Sequence, residues 1–367
     1  MKVMILSSHT PSLIWFRLDM MVAFKSLGCE VVAVGNEDGQ EWSDLFSKHG
    51  IIYRHIFIKR NSINPFNDIK TYRSLKHLII EEKPDKIFSY NAKAVIYGGL
   101  AAKKSGVESF SLIAGLGSIL IGKGIKSKLI RKILLFEYKK SLKYSKSIFF
   151  QNNDDASFFI TKRIVNKEKI VMLNGSGVNL HKFTIQPFPK EFGFLFIGRL
   201  LKDKGIMEYL EACRLVKKRY SNVRCMLVGP FDSNPTSLTK RQLKNFIDDG
   251  TIEFFGAQED VRPYLLQCNV LVLPSYHEGT PKVVLEAMAS CRAIITTDAP
   301  GCRETVIDGL NGFLVPIKDY VKLAEKMVYM FENQNIVKQM AVEGRKRAED
   351  LFDVEKVNEK IISIMNI

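Results

Sequence analysis

The order of strand-forming and amphipathic runs constrains this chain more than any other feature. Short β-rich runs alternate with helix-length amphipathic stretches along the sequence, and the pattern is played through twice. In the first half, strands are expected at Val3–Ser7, Glu30–Val34, Tyr53–Ile58, Lys86–Ser89, Ser109–Ile113, Ser147–Phe150 and Ile170–Leu173. Helices are expected between them at Leu13–Leu27, Asn67–Glu82, Ala92–Lys103 and Ile125–Tyr144. In the second half, strands are expected at Phe194–Ile197, Arg224–Val228, Ile252–Phe255, Val270–Leu273, Ala293–Thr296 and Gly312–Val315. The helices there are expected at Gly205–Arg219, Leu238–Asp248, Arg262–Cys268 and Pro281–Ser290. Such alternation implies parallel sheets covered on both faces. Two prolines in KFTIQPFPK (Lys182–Lys190) interrupt strand and helix alike, and the boundary is expected there. The expected fold class is therefore α/β, with two Rossmann-like doubly wound domains, 1–182 and 183–367, facing across a cleft. Tyr320–Ile367 reads as helices only, and a last helix packing back on the first domain would tie the lobes together.

At 367 residues and 46% hydrophobic, the chain has enough apolar side chains for two cores. No apolar run approaches the ~20 residues that cross a bilayer. The opening MKVMIL is too short for a secretory leader, so a cytosolic protein that touches a membrane surface is expected. Six scattered cysteines form no CxxC pair, and the histidines form no HExxH pattern. Neither a disulfide framework nor a zinc site is expected.

The formal net charge is +15, and it is unevenly shared. Residues 1–188 hold 29 Lys/Arg against 15 Asp/Glu, whereas residues 189–367 hold 25 against 24. Lys123–Lys146 alone carries nine basic residues and one acid, Glu137. Ile125, Leu129, Ile130, Ile133, Leu134 and Phe136 recur there at steps of three and four, which describes an amphipathic basic helix. One reading lays this helix on an anionic leaflet through Lys123, Lys126, Lys128, Arg131 and Lys132. The other makes it a core helix with a solvated lysine face. Nucleic acid is not an expected partner, because no helix-turn-helix, zinc finger or RNP signature accompanies the charge.

Three loops of the second half gather charge beside glycine or at helix starts. In FIGRLLKDKG (Phe196–Gly205) a strand runs into Gly198, and Arg199 and Lys204 project cations suited to a diphosphate. Taken alone, the segment also reads as an ordinary surface loop. In PSYHEGTPKVVLEAMA (Pro274–Ala289), Thr280 is expected to cap a helix and Pro281 to begin it, leaving N–H groups for a phosphate. Glu278 and Glu286 stand in an E-x7-E spacing. Glu278 also fits a capping acid, but Glu286 lies in VVLEAMA, which reads as a buried helix where a carboxylate needs partners. The third loop, LVGP (Leu227–Pro230), is a strand entering a Gly-Pro turn.

GRLLKDKG (Gly198–Gly205), LVGP, HEGTPKVVLEAMA (His277–Ala289) and NGSGVNLHKF (Asn174–Phe183) together resemble the retaining GT-B glycosyltransferases of family 4, also called group 1. The subgroup it resembles builds bacterial capsule, O-antigen and lipid-linked oligosaccharide. The resemblance implies that Arg199 and Lys204 neutralise a donor diphosphate, with Glu278 on the donor sugar and Glu286 on the ribose. Gly198, Gly229, Val261, Gly279, Thr280, Pro281 and Val284 would complete the donor site. His9, Asn91, Lys93, Gly115 and Gly117 are assigned to the acceptor side. The implied activity is retaining transfer of a hexose or N-acetylhexosamine from a UDP-sugar to a polyprenyl-diphosphate-linked saccharide. It needs no metal or cofactor, and it takes place on the inner face of the cytoplasmic membrane.

The sequence departs from the family at three places, one of them Asn179, which stands where the family's GSGVD loop carries an aspartate. The loop after the first strand is SSHTPSLIWFR rather than glycine-rich, and Ala114 in SLIAGLGS stands where many members carry a histidine. A rival reading comes from Gly117–Lys123, which spells GxxxxGK, yet Gly124 replaces the Ser/Thr that a nucleotide triphosphatase needs for Mg²⁺. A second rival, a non-enzymatic membrane or nucleic-acid binder, leaves Glu278 and Glu286 without a purpose.

Overall fold

The computed structural model describes residues 1–60, 62, 64–115, 125–234 and 236–367, with the backbone alone at 125–127. The chain divides into two compact units, Met1–Ser176 with Val354–Ile367, and Gly177–Asp353. The break falls six residues before the expected boundary at 182/183. The prolines of KFTIQPFPK therefore lie inside the second unit, where Arg292 donates to the carbonyls of Gln186 (3.1 Å) and Pro187 (2.9 Å). The segment reads as a linker because proline stops regular structure, yet it is strapped to the second unit's own core.

In the first unit, seven strands form one parallel sheet: β1 (Lys2–Ser7), β2 (Glu30–Gly35), β3 (Ile52–His55), β4 (Lys86–Tyr90), β5 (Glu108–Ile113), β6 (Ser147–Phe150) and β7 (Ile170–Met172). Their order is β3-β2-β1-β4-β5-β6-β7. Val3–Ser7 are buried on both faces, as a parallel central strand requires. The helices are α1 (Thr10–Ser26), α2 (Gln40–Ser47), α3 (Pro65–Glu82), α4 (Ala92–Ser105), α5 (Ile125–Leu142) and α6 (Asn153–Thr161). The short α2 and α6 were not expected from periodicity, because each offers barely two turns to it. Asn64 Oδ1 caps α3 by accepting from Phe66 N at 2.9 Å, and Gly106 (φ 72°) ends α4 in the left-handed conformation that suits glycine.

In the second unit six strands form another parallel sheet: β8 (Gly193–Ile197), β9 (Arg224–Val228), β10 (Glu253–Phe254), β11 (Val270–Leu273), β12 (Ala293–Thr297) and β13 (Gly312–Val315). Their order is β10-β9-β8-β11-β12-β13. Helices α7 (Ile206–Arg219), α8 (Lys240–Asp248), α9 (Arg262–Leu265), α10 (Lys282–Ala289), α11 (Tyr320–Glu332) and α12 (Gln334–Leu351) belong to it. The final helix, α13 (Val354–Met365), returns to the first unit, where Val357, Ile361 and Met365 join the cluster of Val3, Ile5 and Phe24.

Both sheets are doubly wound, with strand order reversing beside the first strand of each half. In such sheets ligands sit beyond the carboxyl ends of the strands at that reversal. The reversal lies between β1 and β4 in the first unit and between β8 and β11 in the second.

Candidate active site

In the second unit the reversal brings together the two loops that the sequence singled out. The loop after β8 carries Arg199 and Lys204, and the loop after β11 carries Glu278. Lys204 Nζ pairs directly with Glu278 Oε1. Both side chains are largely buried, so water screens the pair weakly. Arg199 turns to a different acid: its Nη1 donates to Asp232 Oδ2 at 2.8 Å, and its side chain is half exposed. The two cations thus share a loop but are held by different carboxylates.

The backbone of these loops is packed closely. Gly205, at φ 72°, separates a single 3-10 turn (Lys202–Lys204) from α7, and a Cβ there would lie 2.0 Å from the carbonyl oxygen of Pro274. Only glycine lets the Lys204 loop lie against the start of the Glu278 loop. Gly229, at φ 150°, sits under Gly198 in the same way, its would-be Cβ 1.8 Å from Gly198 O. Gly198 N donates to Val228 O at 3.0 Å.

Further bonds fix Glu278 from behind. Its own N–H donates to Pro300 O at 2.9 Å. Tyr276 N donates to Asp203 O at 2.9 Å, and Tyr276 OH donates to Glu208 Oε1 at 2.6 Å. Burial, with Glu208 beside it, pushes the Tyr276 phenol well above its ordinary range. Sequence reasoning missed Asp203, Glu208, Tyr276 and Pro300. Tyr276 was within reach, since it stands two residues before Glu278, but Glu208 carries no sign that sets it apart from a solvated helix acid.

Helix α10 begins at Lys282, with Pro281 as its N-cap and no side-chain cap on that residue. The expectation that Thr280 caps and Pro281 opens the helix is thus shifted by one residue. Proline lacks an N–H, so it suits the start of a helix in either position. Glu286 lies one turn further on, with Lys282 Nζ 3.9 Å from its Oε1. Burial pushes the Glu286 carboxyl up to about 7, against the pull of Lys282 and Lys182 and with the push of Asp260. Val284 is wholly buried in the core and its N–H donates to Pro281 O at 3.0 Å, so its side chain does not line the site. Its apolar neighbours in VVLEAMA do not distinguish the face it takes. Gly279 is buried between Glu278 and Thr280, and Val261 precedes α9, packed against the core.

In the first unit the reversal gathers His9, Asn91 and Lys93. Asn91, at φ 70°, stands at the N-cap position of α4 without a side-chain cap bond, and its Nδ2 donates to Ser7 Oγ at 2.9 Å. His9 lies before α1, its Nδ1 3.9 Å from Glu37 Oε1 and its ring edge-on to Trp15. Lys93 Nζ pairs with Asp68 at 2.5 Å, so this cation already has an acid. Gly115 has φ 107°. Gly117 and Lys123 lie outside the described residues, as does the GxxxxGK run they bound, and so does the side chain of Lys126. Lys128 and Lys132 are exposed on α5, and Arg131 is half-buried.

Comparison with known proteins identifies the family. The chain is 31% identical over 353 residues to a Campylobacter jejuni N,N'-diacetylbacillosaminyl-diphospho-undecaprenol alpha-1,3-N-acetylgalactosaminyltransferase, covering 92% of this chain and 91% of that one. The profile described as "Glycosyl transferases group 1" matches residues 191–333, and "Glycosyl transferase 4-like" matches residues 2–152.

The chain belongs to the group 1, family 4 glycosyltransferases.

It is also 25% identical over 353 residues to the Staphylococcus aureus capsular polysaccharide biosynthesis glycosyltransferase CapM, covering 91% of this chain and 89% of that one. The structure of Anabaena HepE in complex with UDP and glucose shares the fold at a TM-score of 0.82 and 16% identity, covering 100% of this chain and 99% of that one. The fold class is the GT-B class, two Rossmann-like α/β units. The protein is a glycosyltransferase.

Proposed function

We propose that this glycosyltransferase moves an N-acetylhexosamine from a UDP-sugar to a polyprenyl-diphosphate-linked saccharide, with retention of configuration. The observation that carries the reading is the Lys204–Glu278 pair at the strand-order reversal of the second unit, one loop from the buried Glu286. An ammonium has three donors, and one goes to Glu278. The others can take the donor diphosphate, with Arg199 beside it on the same loop and the first-turn N–H groups of α10 adding their dipole. Glu278 orients the sugar, and Glu286 accepts from the ribose.

The leaving diphosphate takes the acceptor hydroxyl's proton, so the mechanism asks for no protein base. It asks for charge stabilisation and orientation, which these residues supply. The diphosphate's charge is met by protein cations, so the reading needs no metal and no cofactor. The Campylobacter jejuni relative's name supports an undecaprenyl-diphosphate acceptor and an N-acetylated sugar. The UDP in the HepE structure supports the nucleotide. We place acceptor binding in the first unit, near His9, Asn91 and Lys93, and that unit on the anionic inner leaflet of the cytoplasmic membrane through α5. Among the described residues no helix is long and apolar enough to cross a membrane.

The deciding experiment presents a panel of UDP-sugars with short polyprenyl-diphosphate saccharides, in buffer containing a chelator. Transfer of an N-acetylhexosamine in the α configuration, undiminished by the chelator, is expected. Transfer only from another nucleotide's sugar, a β product, or abolition by the chelator overturns the corresponding part of the reading.

A further inference from the structure

Helix α5 is not the only apolar element on its side of the first unit. Its exposed side chains include Leu129, Ile133 and Phe136. Phe66, in the first turn of α3, is 79% exposed, the most exposed large apolar side chain among the described residues. Ile69, three residues on and so on the same helix face, is 48% exposed. This turn is no frayed end. Pro65 opens it and Asn64 caps the Phe66 N–H. The fold spends a capped turn on holding a phenyl ring in water.

The two apolar elements flank one structure. Helices α3 and α5 both pack on α4. Lys93, in the first turn of α4, reaches Asp68 of α3, and Tyr97, one turn later, donates to Glu137 Oε1 of α5 at 3.0 Å. Phe66 stands two residues from Asp68, and Phe136 is next to Glu137. A hollow of about 580 Å³ opens beside α5, lined by Leu100, Ile133 and Phe136 together with Lys132, Lys140 and one acid, Glu137. Cations accompany both elements: Lys59, Arg60 and Lys70 around α3, and Lys128, Arg131 and Lys132 on α5.

Exposed apolar side chains set among cations fit an interface of acyl chains below anionic headgroups. A second copy of the same surface fits poorly, because it would bring like charges face to face. We propose that Phe66 and Ile69 form a second insertion point, so that the first unit docks on an anionic bilayer through α3 and α5 together. This rests on the membrane-facing reading of α5 given above and adds an anchor on a different helix. One amphipathic helix lying in an interface leaves the body free to roll about that helix's axis. Two anchors on separate helices remove that freedom and turn the start of α4 toward the headgroups.

The test is sedimentation with phosphatidylcholine vesicles containing roughly 30% phosphatidylglycerol. The double variant Phe66→Ser, Ile69→Ser is expected to lower the partition coefficient about tenfold. The loss should be as large at about 0.5 M NaCl, where charge attraction is screened. Changing Lys128, Arg131 and Lys132 to Gln should weaken binding chiefly at low salt. In Phe66→Trp, indole emission should shift to the blue when vesicles are added. Unchanged partition of the Phe66/Ile69 variant, or emission that vesicles do not move, overturns the proposal. Unchanged partition with altered self-association would assign the face to a second copy instead, and also overturns it. Transfer to a water-soluble acceptor should stay at the wild-type rate in Phe66→Ser, Ile69→Ser. A protein that docks as described but glycosylates no lipid-linked acceptor would sink the proposed function and leave the docking intact.

Discussion

At the scale of single residues, the candidate site depends on how few charges are placed in how little water. Lys204 and Glu278 neutralise each other across two loops, whereas Arg199 leans on Asp232 in a more exposed position. Lys204→Ala is expected to lower kcat/KM by about 10²–10³-fold, the usual effect of removing a group that stabilises transition-state charge. Arg199→Ala should cost less, since water can reach its place. The Lys204→Ala, Glu278→Ala pair closes a double-variant cycle, and strong non-additivity in kcat/KM is the expected result. Near-normal turnover in Lys204→Ala would remove the site. Glu286 supports a prediction of a different kind. Its carboxyl keeps a proton up to about pH 7 in the folded chain, mainly because burial disfavours the charge. An unfolded glutamate releases its proton near pH 4.3. Between these values the folded state holds the extra proton, so stability falls as pH rises from about 4.3 to 7 and is level on either side. The contribution is about 3 kcal/mol. Glu286→Gln should flatten that slope by this amount in denaturant titrations at pH 5 and pH 8, and equal slopes in variant and wild type would refute it. VVLEAMA shows from sequence alone that this carboxylate is buried. That Lys182, Asp260 and Lys282 surround it does not show there, since the first two come from distant parts of the chain.

At the scale of elements, close backbone approach governs the site. The Lys204 loop can touch Pro274 only because Gly205 has no Cβ and takes a left-handed φ. Gly205→Ala must move Pro274 or the 3-10 turn, and it should cost at least ~2 kcal/mol of stability, together with most of the transfer activity. A crystal structure or chemical-shift map of the variant would locate the displacement at Pro274–Glu278. A variant with wild-type melting and wild-type turnover would show that the loop has slack. The strands were legible to within a residue or two almost everywhere, and Ser147–Phe150, Arg224–Val228, Val270–Leu273 and Gly312–Val315 agree at both ends. Doubly buried parallel strands are continuous apolar runs, which is the clearest signal a sequence offers. The expected strand Tyr53–Ile58 ends instead at His55, and Ile252–Phe255 shrinks to two residues. Both lie at a sheet edge, where one side has no partner strand to extend the ladder. The helix start at Thr280–Pro281 was off by one because Thr and Pro both favour the boundary. The loops carrying Arg199, Lys204 and Glu278 could be named from sequence, but their pairing could not, since it follows from β11 adding beside β8.

At the scale of the whole molecule, the chain crosses from one unit to the other and comes back. Boundary reasoning from composition finds prolines and places the crossing at 182/183. The compact units part at 176/177 and again at 353/354, where no proline stands. The return matters energetically. Helix α13 buries Val357, Ile361 and Met365 in the same cluster as Val3, Ile5, Met20 and Phe24, and Lys86 Nζ donates to Asn366 O at 3.0 Å. Removing residues 354–367 exposes that face of the sheet and strips three large side chains from its core. At ~1.5–3 kcal/mol for each buried side chain, the loss is roughly 5–9 kcal/mol, comparable to the whole stability of an average domain. The cost falls on the first unit, because the second has its own separate core. The truncated chain is therefore expected to lose hydrogen-exchange protection in β1, β4 and α1 while keeping it in β8, β11 and α10. Because Lys204, Glu278 and Glu286 all lie in the second unit, it should still bind UDP although sugar transfer is abolished. Loss of UDP binding with transfer, or protection lost evenly across both units, would show that the two cores unfold as one and that the last helix supports the molecule as a whole.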